Sequence, residues 1–371
     1  MNDLSHISVV LPSLDPDEKL TAVIDGLLEY GFSHIILVND GSKPENLHYF
    51  EDAAAAHPEI VLLHHPVNRG KGAALKTAFR WFLDNRPDAL GVVTVDGDNQ
   101  HHPEDTRACA LHMLEHKRLV LGVRDFSLPH VPPRSRTGNR ITSAVFKVFV
   151  GMTISDTQTG LRAFPTHDIK TLIEVSGDRF EYETNMLLAM KEYNIPFDEV
   201  KIRTVYIEEN KSSHFHAVRD SWRIYKLILS HFFKYTMSSI LSAILDEALF
   251  LLLSFLLHVS GLSGLLLTAI STAGARASSS LFNFFINHKI VFHSHEPIKK
   301  ALSRYYTLAI PQMFIQFLLT QGLCQIFYVA DNQTGLRGLI YAAVMLVLFI
   351  LSYVIQKRWV FATKHNNQNE D

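Results

Sequence analysis

Past Lys234 the chain stops carrying charge. Residues 236–360 contain 8 Lys/Arg and 4 Asp/Glu, whereas residues 1–235 contain 26 and 31. A soluble domain usually carries about 25% charged residues. The first stretch therefore reads as an ordinary globular domain, and the second as something built for an apolar surrounding. A single soluble globule is excluded. So is a disordered chain, because both stretches are rich in Leu, Ile, Val and Phe.

The charge-poor stretch divides into four apolar segments, at about 236–258, 264–287, 305–330 and 338–356. Each is long enough to cross about 30 Å of hydrocarbon at about 1.5 Å per residue. The bases in the short loops alternate. Arg219, Arg223, Lys226 and Lys234 precede the first segment, and Lys289, Lys299, Lys300 and Arg304 lie between the second and third. Lys357, Arg358 and Lys364 follow the fourth, whereas the stretch between the first two segments has no base. This bias predicts a multi-pass protein with both termini on the cytosolic side. Asp246, Glu247 and Arg276 interrupt the first two segments, and intramembrane charges are costly unless paired or functional. If the two segments are antiparallel neighbours, an Asp246 or Glu247 pair with Arg276 is expected, serving either helix registry or a lipid phosphate or sugar. Small residues from Ala269 to Ser280 suit close helix packing. Residues 214–235 mix aromatics and bases at helical spacing, as an interfacial amphipathic helix does.

The net charge of −2 points to no nucleic-acid partner. Cys109 and Cys324 fall in different halves, against a disulfide framework. The N-terminus has no basic segment followed by a long apolar run, so no signal peptide is expected and the first domain stays in the cytosol.

In residues 1–213 strand and helix patterns alternate. Strands are expected at Ile7–Pro12, Ile35–Asn39, Ile60–His64, Leu90–Val95 and Leu119–Val123, with helices at Asp15–Tyr30 and Gly72–Leu83. This rhythm predicts an α/β, mostly parallel sheet with helices on both faces. Such sheets bind ligands at the carboxyl ends of their strands. There lie Pro12-Ser-Leu-Asp15, Asn39-Asp40-Gly-Ser42, Asn68-Arg-Gly-Lys71-Gly72 and Asp96-Gly-Asp98-Asn-Gln100. No Gly-x-Gly-x-x-Gly follows a strand, and Gly70-Lys71-Gly72 lacks the spacing of a phosphate loop. Two carboxylates and an amide oxygen at Asp96, Asp98 and Gln100 suit a hard divalent cation, Mg2+ or Mn2+. An isolated Asp-x-Asp serves equally well as a capped turn, so its position after a strand beside Asn39-Asp40-Gly-Ser42 is what gives it weight.

These motifs resemble the family 2 glycosyltransferases of GT-A fold, and among them the polyprenyl-phosphate sugar transferases of the dolichyl-phosphate mannose synthase type. The likeness also includes Asp156-Thr-Gln-Thr-Gly160-Leu-Arg162, Phe180-Glu-Tyr-Glu183 and Arg203-Thr-Val-Tyr206 leading to Lys211. The tail, 236–363, resembles the four-span GtrA-like membrane domain, with Asn283-Phe-Phe-Ile-Asn287 and Gln356-Lys-Arg-Trp359, followed by a polar tail at 364–371. Departures from the family pattern are Ser13-Leu14 in place of an aromatic, Asn99 in the metal motif, and His102 in place of a proline.

The resemblance implies a Rossmann-like nucleotide-sugar domain at the plasma (inner) membrane. It would transfer a sugar from a GDP- or UDP-linked donor to undecaprenyl or dolichyl phosphate, metal-dependently and with inversion. Pro12, Asp15, Asp40, Lys71, Asp96, Asp156 and Lys211 would meet the donor, and Asp96, Asp98 and Gln100 the metal. Arg124, Arg136 and Arg140, with Arg134, would meet the acceptor phosphate, and Asp98 would serve in catalysis. A homo-oligomer is compatible with all of this. Competing readings are a processive polysaccharide synthase, and a translocase or scaffold role for the membrane domain. The first would need a Gln-x-x-Arg-Trp-like motif near 180–205, and none stands there.

Overall fold

The computed structural model describes residues 4–129, 131–205, 228–329 and 333–362, together with Lys226. The chain divides into two compact units, Met1–Ile228 and Leu229–Asp371.

The first unit is built on seven strands: β1 (Ile7–Ser13), β2 (Ile35–Asp40), β3 (Ile60–His65), β4 (Gly91–Thr94), β5 (Leu119–Arg124), β6 (Arg162–Pro165) and β7 (Phe197–Ile202). They form one sheet in the order β3-β2-β1-β4-β6-β5-β7. All five expected strands are present. The sheet is mixed, however, because β6 runs antiparallel between β4 and β5, with Thr94 opposite Arg162. β2 is buried along its whole length, and β1 at its first five residues, Ile7–Leu11, as befits central strands covered on both faces. Helices α1 (Lys19–Glu29), α2 (Leu47–Ala56), α3 (Lys71–Asn85), α4 (Pro103–His116), α5 (Pro133–Val145), α6 (Thr166–Ile173) and α7 (Glu181–Glu192) complete the layers. One apolar core gathers Val10, Val38, Phe79, Phe82, Phe164 and Tyr182. A second, on the other face, gathers Val9, Leu11, Leu27, Ile35, Phe50 and Met113. The alternation of Val9 and Val10 between the two cores is the period-two pleat seen directly. Because β1, β2 and β4 are parallel, the loops after them open on one edge of the sheet.

The second unit holds α8 (Ser230–Val259), α9 (Gly264–Ile286), α10 (Ile298–Ile326) and α11 (Thr334–Ile355). The four expected segments each fall on one of these helices. Among the described residues, three stretches are long and apolar enough to cross a membrane: Phe232–Val259, Ile298–Ile326 and Gly335–Val360. The 23-residue α9 is the exception, because it spends positions on Ser, Thr, Asn and Arg276. Those small residues face inward: Ser271, Ala275 and Ser279 are buried, and a Cβ on Gly274 would come within 2.9 Å of Leu253 on α8. Residues 230–235, expected in an interfacial helix, belong to α8, and 214–225 lie outside the described residues.

Outward-facing side chains of this unit are large and apolar, among them Phe255, Leu265, Phe314 and Leu339. So extensive an apolar surface is suited to lipid. Polar groups turn inward and satisfy one another, as backbone-saturated helices in hydrocarbon require. Asn287 donates to Asn283 (2.9 Å) and to Gln356 (3.3 Å), and Gln356 donates to the Tyr235 hydroxyl (3.1 Å). A cavity of about 210 Å³ adjoins this seam, lined by Tyr235, Asn283, Tyr305, Gln312 and Gln356. α9 and α11 each end in a π-helical turn, Asn287–Val291 and Gln356–Val360. Each turn starts on a buried amide residue and runs into a phenylalanine, Phe292 or Phe361, and these two rings stack at 5.1 Å.

Candidate active site

β4 ends at Thr94, and two residues later Asp96 reaches the sheet's carboxyl edge. Its carboxylate lies against Gly160, where a Cβ would stand 2.2 Å from Asp96 Oδ2. Glycine in Asp156-x-x-x-Gly160 is therefore demanded by the carboxylate's position. Lys71, the first residue of α3, places Nζ 2.7 Å from Asp96 Oδ1 and 2.9 Å from Glu183 Oε1 on α7. Burial alone would lower the Lys71 pKa, but the Asp96 and Glu183 carboxylates outweigh it and hold the ammonium above its usual range. Asp96 is the mirror case: burial works against its charge, yet Lys71 and then His101 drive its pKa well below the carboxylate range. His101 Nε2 is 3.7 Å from Asp96 Oδ2.

Asp98 follows in a tight turn whose Asn99 takes a left-handed φ of 60°. Its Oδ1 accepts the backbone N–H of Gln100 at 3.1 Å. Burial, and then the neighbouring Asp96 charge, push the Asp98 pKa above its usual value. Asp98 thus sits in excess negative potential. A hard divalent cation held by the Asp96 and Asp98 carboxylates, with Gln100 next in the turn, relieves that excess, so the residues present fit Mg2+ or Mn2+.

Beneath these groups lies Arg162, 1% exposed. It donates through Nε to the Thr159 carbonyl (3.0 Å) and through Nη1 to the Glu183 carbonyl (2.8 Å). Its Nη2 has no hydrogen-bond partner among the described residues. Burial lowers the pKa of this guanidinium, with Glu183, Asp156 and Asp96 opposing that fall, so a buried cation underlies three carboxylates. In the sequence Arg162 and Glu183 stand only within motifs, Asp156-Thr-Gln-Thr-Gly160-Leu-Arg162 and Phe180-Glu-Tyr-Glu183, with no role of their own. The signal for Glu183 was its acidic motif, Phe180-Glu-Tyr-Glu183. What was not readable was that α7 returns it to Lys71, 112 residues earlier.

Several expected donor contacts are engaged in building the site's walls. Asp40 is 4% exposed, and its oxygens accept His65 Nδ1 (2.7 Å), Arg69 N (3.0 Å) and Gly70 N (2.7 Å). It organises the Asn68–Gly72 loop and the start of α3. The next residue, Gly41, has φ of 73°, and a Cβ there would strike Val67 at 2.2 Å. Asp15 accepts Lys43 N (2.8 Å) and Asn46 Nδ2 (3.2 Å), tying the β1 loop to the β2 loop. Pro12 is half-buried on β1 opposite Val38.

Asp156 is fully buried, and its carboxylate grips Arg124 through Nε (2.7 Å) and Nη2 (3.2 Å). It orients that arginine, which lies over the Phe126 ring at 5.2 Å. Arg136 donates to the Phe126 (3.0 Å) and Leu128 (2.9 Å) carbonyls, which holds the loop after β5. Arg134 and Arg140 are exposed on α5. Lys211 lies outside the described residues. In the helical unit Asp246 Oδ2 is 3.2 Å from Arg276 Nη2, the expected pair, and Ser279 donates to Asp246 Oδ1 at 2.8 Å. Glu247 is exposed.

Residues 8–169 match the family described as glycosyl transferase family 2, and residues 234–361 match the GtrA/DPMS transmembrane domain. Among curated proteins, the chain is similar to UDP-N-acetylglucosamine–dolichyl-phosphate N-acetylglucosaminyltransferase of Methanococcus voltae. The two are 25% identical, over 54% of this chain and 86% of that one. It is also similar to undecaprenyl-phosphate mannosyltransferase of Micrococcus luteus, 24% identical over 48% of this chain and 75% of that one. Among solved structures, glucosyl-3-phosphoglycerate synthase from Mycobacterium tuberculosis, in complex with Mn2+ and UDP, aligns with a TM-score of 0.46 and 16% identity, over 60% of this chain and 78% of that one. The two family matches identify the chain as a glycosyltransferase that joins a family 2 domain, over residues 8–169, to a GtrA/DPMS transmembrane domain, over residues 234–361.

Proposed function

We propose that the protein transfers a sugar from a nucleotide diphosphate donor to a polyprenyl phosphate on the cytosolic face of a membrane. One observation carries this reading: a cluster of Lys71 with the carboxylates of Asp96, Asp98 and Glu183, left with an excess of negative charge, stands at the sheet's carboxyl edge, in a chain that also carries its own apolar helices. The names of the similar proteins pair the same reaction type with polyprenyl phosphates and with two different sugars, so the donor sugar stays open.

The acceptor is a phosphate monoester whose second pKa is near 6, so at neutral pH its oxygen is already an anion. No strong base is required, and Glu183, which shares Lys71 with Asp96, serves as a positioning carboxylate. The site's task is alignment and charge stabilisation. Asp96, Asp98 and Gln100 would hold Mg2+ or Mn2+, which would supply positive charge to the donor diphosphate. Lys71 offers its ammonium to the departing diphosphate. Arg124, held rigid by Asp156, and exposed Arg140 hold the acceptor phosphate in line with the anomeric carbon on the face opposite the leaving group, which gives inversion. Arg162 sets a buried guanidinium beneath the carboxylates.

The test is to incubate membranes carrying the protein with radiolabelled GDP- and UDP-sugars and polyprenyl phosphate. A chloroform-soluble, mild-acid-labile product is expected. A polymer would favour a processive synthase, and no product with any donor would overturn the reading.

A further inference from the structure

We propose that His112, His116 and Asp198 form a second metal site, for a borderline divalent ion of the zinc class, at the edge of the sheet opposite the active site. The inference stands apart from the transferase reading and uses none of its residues.

His112 and His116 lie four residues apart in the last two turns of α4, so they share one helix face. Their rings stack with centroids 4.0 Å apart and an interplanar angle of 17°. Asp198, the second residue of β7, comes to the same place, with His112 Nε2 3.1 Å from its Oδ2. One ligand atom from each of the three residues falls within 4.8 Å of the others. Bonds of about 2.0–2.1 Å to Zn2+ need donor atoms only ~3.4 Å apart around a tetrahedron. Rotation of exposed His116, with smaller adjustments of half-buried His112 and Asp198, covers the difference.

The surrounding hydrogen bonds prepare these donors. His116 Nδ1 lies 3.0 Å from the His112 carbonyl oxygen, which can only accept. Nδ1 therefore carries the proton, and in the neutral ring the lone pair is on Nε2. A carbonyl that fixes the tautomer in this way is the usual outer partner of a metal-bound histidine. Arg118 Nη1 donates to Asp198 Oδ1 at 2.9 Å, which orients the carboxylate and leaves Oδ2 toward the histidines. On metal binding the His112–Asp198 hydrogen bond is exchanged for two bonds to the ion, with the neutral His112 ring carrying its proton on Nδ1.

Two imidazoles and one carboxylate select Zn2+, Co2+, Ni2+ or Cu2+ over Mg2+ and Ca2+, the reverse of the all-oxygen set at Asp96, Asp98 and Gln100. The locations differ as well. Helix α4 begins just after the Asp96–Gln100 turn, and His112 lies ~15 Å further along it at 1.5 Å per residue. Asp198 pairs with Val120 at the amino end of the parallel β5–β7 ladder. β7 is the last strand of the sheet, with β5 as its one neighbour. An ion here pins that edge strand to α4.

The experiment uses the full chain in detergent, stripped with chelator and desalted, then titrated with ZnCl2 in excess Mg2+. Bound zinc is counted by elemental analysis, and thermal unfolding is followed in parallel. Wild type is expected to retain one equivalent of zinc and to unfold at higher temperature with it. Asp96→Asn/Asp98→Asn, which removes the other carboxylate site, should behave the same way. His112→Ala and the more exposed His116→Gln should each lose at least about tenfold in zinc affinity. Their zinc-free unfolding should match that of zinc-free wild type, which separates ligand loss from misfolding. Failure of wild type to retain zinc, or equal retention by the His112→Ala/His116→Gln double variant, overturns the proposal.

Discussion

Lys71 binds two carboxylates brought from β4's end and from α7, and its ammonium is the pivot of the site. Lys71→Ala removes the cation and leaves Asp96 and Glu183 facing each other. Transfer is expected to fall by about 10²–10³-fold, the loss typical for one preorganised charge at a reacting centre. Lys71→Arg should recover only part of it, because a planar fork cannot occupy the point that Nζ occupies. Asp98→Ala is expected to abolish transfer while the protein still inserts and folds. Full activity of that variant, or full activity in excess chelator, would refute the metal assignment. Arg162 acts differently. Replacing it with Met leaves three carboxylates over a neutral core, and breaking such a buried arrangement costs about 3–5 kcal/mol. Thermal unfolding of Arg162→Met should therefore show a large loss. Cys109 gives a control for native packing. Burial, and then the Asp105 charge, push its thiol up to about 12, so alkylation at pH 8 should wait for unfolding.

At the scale of elements, α8 and α9 are joined by small residues and by one ion pair, Asp246–Arg276. Apolar helices gain little from association in lipid by hydrophobicity alone, so close packing and polar contacts must supply the specificity. Asp246→Ala is expected to lower the thermal stability of the membrane unit. The exchanged pair, Asp246→Arg with Arg276→Asp, should restore most of it. If the exchange is worse than either single change, the pair has another role, such as holding a lipid phosphate. What was legible in the sequence follows the same physics. The five strands β1 to β5 announced themselves as apolar runs before polar turns, because strands buried on both faces leave that pattern. β6 escaped notice because it is four residues long and includes a buried arginine and a proline. β7 escaped because it is a half-buried edge strand with Asp198, Glu199 and Lys201 along it. The motif carboxylates were readable as an ensemble. Their division of labour was not: Asp40 and Asp156 look as available as Asp96 in the sequence, and only the fold shows them buried against His65 and Arg124.

At the scale of the whole molecule, two units with separate cores share one chain, and the covalent link itself has a chemical consequence. The catalytic unit has a complete seven-stranded sheet and two apolar cores of its own. A fragment ending at Ile228 should therefore fold and bind nucleotide diphosphate. The proposed acceptor, however, is a lipid held in a bilayer, and a covalent link to an apolar helical unit would keep the catalytic unit near that surface. Tethering of this kind raises effective concentration and changes apparent rates by about 10²–10⁴-fold without any new contact. The fragment is accordingly expected to transfer sugar to a short, water-soluble prenyl phosphate at a rate near that of the full chain. On a long polyprenyl phosphate in vesicles it should be slower by about 10²-fold or more. Both acceptors are measured in one assay with the same donor. Equal losses on the two would mean that the helical unit contributes to the chemistry itself, for example through the polar cavity lined by Tyr235, Asn283 and Gln356, and not only through anchoring. A loss confined to the vesicle acceptor assigns the charge-poor half of the chain to delivery of the enzyme to its lipid.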